Sequence, residues 1–193
     1  MTVANKIYGT THIRNDRTKN RNYHSTLKDA EKHFKNFDNL YSFTVVRNPW
    51  SRISSWYFFR KTMLTKVLKT SKHSKKVSRP VDEVRKEYEL MQHNFDKWLY
   101  FYYDQPWDHT WFSLAHNQIY WLKNSKINIT NIIKYEELAS GFSSIPIFKN
   151  QQLPITNRSR SSSVPYKQLY SNKSRKFVAK IYQEDIDNFK YTF

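Results

Sequence analysis

The chain of 193 residues contains no cysteine. That excludes a disulfide framework, a thiolate zinc site, an iron–sulfur cluster and cysteine catalysis together. No run approaches the roughly 18 apolar residues of a transmembrane helix. Residues 1–20 are polar and lack the apolar core of a secretory leader. The expectation is a soluble, cytoplasmic protein. Apolar residues are also scarce, at 38%. Aromatics are not: 14 Tyr, 13 Phe and 6 Trp argue against disorder and for a core built from rings. The length suits a single domain over residues 1–193, with 1–22 a poorly defined N-terminal segment. Acids are the third shortage, 16 against 33 Lys and Arg, for a net charge of +17. Such a surface draws anions: nucleic acid, anionic lipid, sulfated polymer, or a nucleotide carrying several phosphates. The plainer alternative is compositional bias, since Lys, Asn, Ile and Tyr are plentiful and Gly occurs only 2 times.

Hydrophobic spacing outlines the elements. A helix is expected over Ser25–Phe37, with Ser25 or Thr26 as its cap. Tyr41–Val46 is the best strand, short, β-branched and nearly continuous in apolar content, as for a strand of a parallel sheet buried on both faces. Further helices are expected over Ser51–Leu68, Val81–His93, Phe95–Tyr103, Trp107–Leu122 and Ser171–Ile186, with a second strand over Ile127–Tyr135. Basic and Ser-rich residues mark a loop over Lys69–Pro80. Arg60–Arg79 holds eight Lys or Arg and no acid, a solvated face or a contact for a polyanionic acceptor. A Pro- and Ser-marked loop covers Ile145–Pro165, and an aromatic tail, Phe189, Tyr191 and Phe193, closes the sequence as core plugs. Strands alternating with long helices indicate an α/β layered fold.

One constellation carries chemistry. The first strand delivers Arg47 at its carboxyl edge, where open α/β sheets bind ligands. Pro49 suits the first turn of the next helix, whose N-terminal N–H groups and positive dipole end favour an anion. Ser55 follows inside that helix. A planar guanidinium and a hydroxyl so placed could clamp one phosphate. Arg47 as a strand-end arginine paired with a carboxylate, and Ser55 as an ordinary helix serine, are the competing readings.

The segment VVRNPWSRISSWY resembles the 3′-phosphate motif of sulfotransferases that use 3′-phosphoadenosine 5′-phosphosulfate (PAPS). That pattern is a hydrophobic strand, Arg-(Asp/Asn)-Pro, then Arg-Leu-x-Ser-x-Tyr, met here by Arg47, Asn48, Pro49, Arg52, Ile53, Ser55 and Tyr57. LPITNRS, PYKQLY and FVAKIYQEDIDNFKYTF are similar to the C-terminal end of carbohydrate-type sulfotransferases, through Leu153, Pro154, Asn157, Ser159, Tyr166, Tyr182, Asp185, Ile186, Phe189 and Tyr191. Gln118 and the IIKYEEL segment with Glu136 fit the middle. The resemblance covers about residues 23–193. It implies that Arg47 and Ser55 hold the cofactor's 3′-phosphate and that the Asn157/Ser159 loop closes over the nucleotide. It also implies a P-loop-kinase-like sulfotransferase fold, a parallel sheet flanked by helices.

Sulfuryl transfer calls for a base near neutral pKa, usually His. His24, in the Tyr-His-Ser-Thr segment ahead of the Arg47 strand, matches the place of a His in related carbohydrate sulfotransferases, and the alternative is a part in starting the helix at Ser25. His12, His33, His73, His93, His109 and His116 lack that match. The family also opens with a strand and a phosphosulfate loop, roughly Pro-Lys-x-Gly-Thr-Thr/Ser, that gathers the 5′ charges as a P-loop does. The nearest candidate is Lys6, Gly9, Thr10 and Thr11, with one residue too many between Lys and Gly and no apolar strand before it. The expectation is therefore an N-terminally truncated fold that begins after the true loop.

The resemblance implies a sulfotransferase moving the sulfuryl group of PAPS to a hydroxyl of a carbohydrate or small metabolite, an anionic glycan included, without a metal. Its partners would be PAPS and 3′,5′-adenosine bisphosphate. The alternatives are a non-catalytic nucleotide- or glycan-binding remnant of that fold and a basic nucleic-acid-binding protein, which no recognised nucleic-acid motif supports.

Overall fold

The computed structural model describes residues 26–31, 41–69, 80–105, 114, 116–149, 151 and 164–193. In chain order these form α1 (Leu27–Glu31), β1 (Phe43–Val46), α2 (Pro49–Lys69), α3 (Val81–His93), α4 (Phe95–Asp104), a 3-10 turn (Gln118–Trp121), β2 (Asn131–Lys134), α5 (Leu138–Ser143), α6 (Asn172–Ile181) and α7 (Gln183–Phe189). Further 3-10 turns occupy Tyr135–Glu137, Pro146–Phe148 and Tyr166–Leu169. Helices together with a small parallel sheet make this a mixed α/β chain. The chain clusters into two compact units: Met1–Asn48 with His109–Asn157 and Asp187–Lys190, and Pro49–Asp108 with Arg158–Ile186 and Tyr191–Phe193.

The first unit holds the sheet. β1 and β2 pair in parallel, Phe43 opposite Asn131 through to Val46 opposite Lys134. Polar side chains fix the register just before the ladder: Ser42 Oγ donates to the Asn128 carbonyl at 2.7 Å and accepts from the Thr130 N–H at 3.1 Å. One face packs on α5 and the turn after it. Ile133, Phe142, Ile145 and Phe148 are buried together, with Phe43 and Leu138 against them. The Phe142 and Phe148 rings stack at 4.3 Å, and Phe43 meets Phe148 edge-on at 6.0 Å. Gly141 permits this approach, because a Cβ there would lie 2.4 Å from Ile133 Cγ2. Glu31 of α1 accepts from the Ser125 hydroxyl and the Lys126 N–H, which hold its carboxyl below the usual range.

The second unit is helical. α2 buries Trp50, Ile53, Ser54, Tyr57, Arg60 and Leu64, the three-and-four spacing of one helix face. α3 adds Val84, Glu87 and Met91; α4 adds Phe95, Trp98, Leu99 and Tyr102. Asn94 separates α3 from α4 in an extended conformation, and its side chain caps α4 by accepting from the Lys97 N–H at 3.0 Å. Rings converge on Tyr57, with Trp98 at 4.9 Å and Phe95 at 5.1 Å, and the Tyr57 hydroxyl donates to the Met91 carbonyl at 2.7 Å. The scarcity of aliphatics is met by these rings. Arg60 and Glu87 form a buried ion pair, Nη2 donating to Oε2 at 2.7 Å and Nε to Oε1, while Trp98 Nε1 donates to the same Oε1 at 3.2 Å.

Several sequence expectations change. β1 is shorter than Tyr41–Val46, and it is not covered on both faces by the described residues: Val45 is 43% exposed, as is Ile132 of β2 at 47%. The expected strand Ile127–Tyr135 shrinks to Asn131–Lys134. The expected helix Trp107–Leu122 is, from residue 116 on, a bend and a 3-10 turn, with Asn117 extended and Asn124 left-handed at φ 62°. Asn tolerates that region. The helix expected over Ser171–Ile186 breaks at Tyr182, whose backbone turns to φ −106°, ψ 26° while its side chain stays fully buried. Val178, Tyr182 and Asp185, on the two sides of the break, are all buried. Of the helix expected over Ser25–Phe37, Leu27–Glu31 is described. α2, α3 and α4 begin and end within two residues of expectation.

Candidate functional site

The carboxyl ends of β1 and β2 converge on Arg47. The β-ladder stops at Val46 and Lys134, so Arg47 stands one residue past it. Gln118 meets it there. Its Oε1 accepts from the Arg47 N–H at 2.8 Å, and its Nε2 donates to the Arg47 carbonyl at 2.8 Å. The next N–H, that of Asn48, donates to Glu136 Oε1 at 2.9 Å. The Arg47 guanidinium lies over the Tyr135 ring, 4.4 Å from its centroid, a cation–π contact on an exposed ring. Tyr135 and Glu136 reach this place because the 3-10 turn Tyr135–Glu137 begins directly after β2.

The second unit carries the remaining described parts of the motif. Pro49 opens α2 and is buried, consistent with the fit of proline to a first helical turn. Ser55 lies in the second turn, partly exposed. Arg52 stands 5.8 Å over the Tyr182 ring. The hydroxyls of Tyr182 and Tyr103 lie 2.8 Å apart, and burial pushes Tyr182 up to about 12 and Tyr103 well above its ordinary value. The aromatic tail behaves as a plug. Phe193 meets Trp50 at 5.5 Å and Tyr170 at 5.7 Å, with the Arg175 guanidinium 4.8 Å over its ring. The Tyr170 hydroxyl donates to the Trp50 carbonyl at 2.8 Å, and Trp50 Nε1 donates to that of Arg175 at 3.0 Å. Phe189 and Tyr191 are buried.

A family model described as the sulfotransferase family matches residues 3–192. The chain belongs to the sulfotransferase family. No curated protein and no solved structure matches it. In this family member the strand-end arginine expected from the sequence does follow the first described strand of a parallel pair, and the long helix begins at Pro49, two residues before the expected Ser51. His24, Lys6, Gly9, Thr10, Thr11, Asn157 and Ser159 lie outside the described residues. Among the described residues no group of three His, Asp or Glu could hold a metal ion, and no helix is long and apolar enough to cross a membrane. His116, set aside on sequence, stacks on Tyr120 at 4.1 Å between ring centroids.

Sequence reasoning missed two things here. The sequence places Gln118 in the family's middle but gives no sign of its grip on the Arg47 backbone, nor of Tyr135 as a platform for the guanidinium. Gln118 is 71 residues from Arg47. Nothing in local periodicity signals a side chain that bonds to a distant backbone.

Proposed function

We propose that this sulfotransferase takes its sulfuryl group from PAPS and delivers it to a hydroxyl of a carbohydrate or small metabolite, acting as one sulfotransferase-like domain over residues 1–193. The observation that carries the reading is Arg47: a guanidinium at the carboxyl edge of a parallel strand, directly ahead of a long helix, inside a family match that spans the chain. A strand-end arginine stacked on an exposed tyrosine suits a bound phosphate, because a planar fork can donate to two phosphate oxygens while its face rests on the ring.

In this proposal Arg47 and Ser55 bind the 3′-phosphate. Asn157 and Ser159 close over the nucleotide. Lys6, Gly9, Thr10 and Thr11 gather the 5′ charges, and the family match, which starts at residue 3, includes them. His24 takes the proton of the acceptor hydroxyl. The hydroxyl oxygen attacks sulfur, the bond from sulfur to the 5′-phosphate oxygen breaks, and 3′,5′-adenosine bisphosphate leaves with that electron pair. The excess of basic residues favours an acceptor that is itself anionic, such as an acidic glycan.

The test is incubation of the chain with isotopically labelled PAPS and a panel of neutral and anionic glycans, followed by detection of labelled product. Transfer that falls about 10²–10⁴-fold in His24→Ala, with bisphosphate binding retained, supports the assignment of the base. Bisphosphate binding without transfer to any acceptor points instead to a nucleotide-binding remnant of the fold.

A further inference from the structure

The β-ladder ends one residue before the arginine on which the proposed function rests. A residue just past the end of a ladder has lost its strand partner, and its direction is set by whatever next holds its backbone. For Arg47 the Gln118 side chain holds both backbone groups. The Gln118 amide supplies an acceptor to the Arg47 N–H and a donor to its carbonyl, both at 2.8 Å, and so imitates the peptide group of a neighbouring strand. The two bonds fix the Arg47 backbone, and through it the direction of the side chain whose guanidinium lies over Tyr135.

We propose that Gln118 is a positioning residue for 3′-phosphate recognition: its amide extends the ladder by one residue and so aims Arg47. The inference rests on the reading of Arg47 as the 3′-phosphate ligand. Gln118 itself need not touch the nucleotide. Its chemistry is demanding, because at neutral pH a side chain of this length and shape offers both an acceptor and a donor when it ends in an amide and not when it ends in a carboxylate. A methionine offers neither in usable form. An ionised glutamate keeps the bond from the Arg47 N–H but turns a carboxylate oxygen toward the Arg47 carbonyl. A protonated glutamate offers an acceptor and an O–H donor again.

The experiment compares binding of 3′,5′-adenosine bisphosphate with binding of adenosine 5′-phosphate, which lacks the 3′ group, for the parent chain, Gln118→Met, Gln118→Glu and Arg47→Ala. The parent is expected to prefer the bisphosphate. Gln118→Met is expected to weaken bisphosphate binding about tenfold and leave the monophosphate within about twofold. Added to Arg47→Ala, it is expected to change neither further, since the two residues act through one contact. Gln118→Glu is expected to lose the preference near neutral pH and regain it, relative to the parent, as pH falls through about 4.3 and the carboxyl protonates. Two results overturn the inference alone: a Gln118→Met chain that keeps its full 3′-phosphate preference, or one that loses both nucleotides equally, as a merely structural residue would. A parent chain with no preference for the bisphosphate overturns the reading of Arg47, and the inference with it.

Discussion

The hydroxyls of Tyr103 and Tyr182 share a hydrogen bond of 2.8 Å inside the helical unit, joining α4 to the break between α6 and α7. Neither can ionise cheaply there. Burial pushes Tyr182 up to about 12 and raises Tyr103, Tyr170 and Tyr102 as well. A folded-state pKa above the unfolded value near 10 means that the folded chain holds the proton more tightly. The stability these tyrosines contribute is therefore full below about pH 10 and is lost as pH rises through about 12. Tyrosinate absorbance and circular dichroism followed together should show a group of tyrosines ionising only as the helices unfold. Ionisation of every tyrosine near pH 10 with the fold intact would contradict the burial described.

For the nucleotide site, Arg47→Ala is expected to weaken 3′,5′-adenosine bisphosphate binding by about 1.5–3 kcal/mol, roughly 10- to 150-fold, the worth of a hydrogen bond to a charged group. Ser55→Ala should cost less, since it removes a neutral donor. Isothermal titration on the two variants checks both, and parent-like affinity in each would remove them from the site.

Glu87 is fully buried and holds both Arg60 and the Trp98 indole N–H. Glu87→Ala takes the carboxylate from a buried guanidinium, a change that typically costs about 3–5 kcal/mol. Replacing the pair together, Arg60→Met with Glu87→Leu, should cost far less, because neither charge then remains inside. Urea midpoints of the single and double variants decide this. Equal loss in both would mean that packing, not charge pairing, dominates.

Gly141→Ala should destabilise the sheet unit by about 1–3 kcal/mol, because the new methyl would sit 2.4 Å from Ile133 Cγ2. Ile133→Ala removes that atom. The double variant is therefore expected to lose less than the sum of the singles. Strict additivity in thermal denaturation would show that the backbone simply shifts aside.

The helices α2, α3 and α4 were legible in the sequence because apolar residues recur at helical spacing with Pro49 and Asn94 at two of their starts. The position of Arg47 was legible too, from an apolar run ended by Asn-Pro. The segment before β2 was not. Its Phe112, Ala115, Ile119 and Trp121 imitate a helical stripe in the sequence, but Gln118–Trp121 form a 3-10 turn from which Gln118 bonds to Arg47. The break at Tyr182 escaped for a similar reason: a fully buried tyrosine leaves the apolar period unbroken while the backbone leaves it.

The two strands of the sheet are brought together by bonds such as that of Thr130 N–H to Ser42 Oγ, which span 88 residues. At a synthesis rate of about 5–20 residues per second, β1 leaves the ribosome roughly 4–18 s before its partner exists. Through that interval the helical hairpin of α3 and α4, whose contacts are local, can already form, while the β1 backbone groups that bond to β2 lack those bonds. Sheet closure, and with it the final aim of Arg47, is thus a late event in the life of the nascent chain.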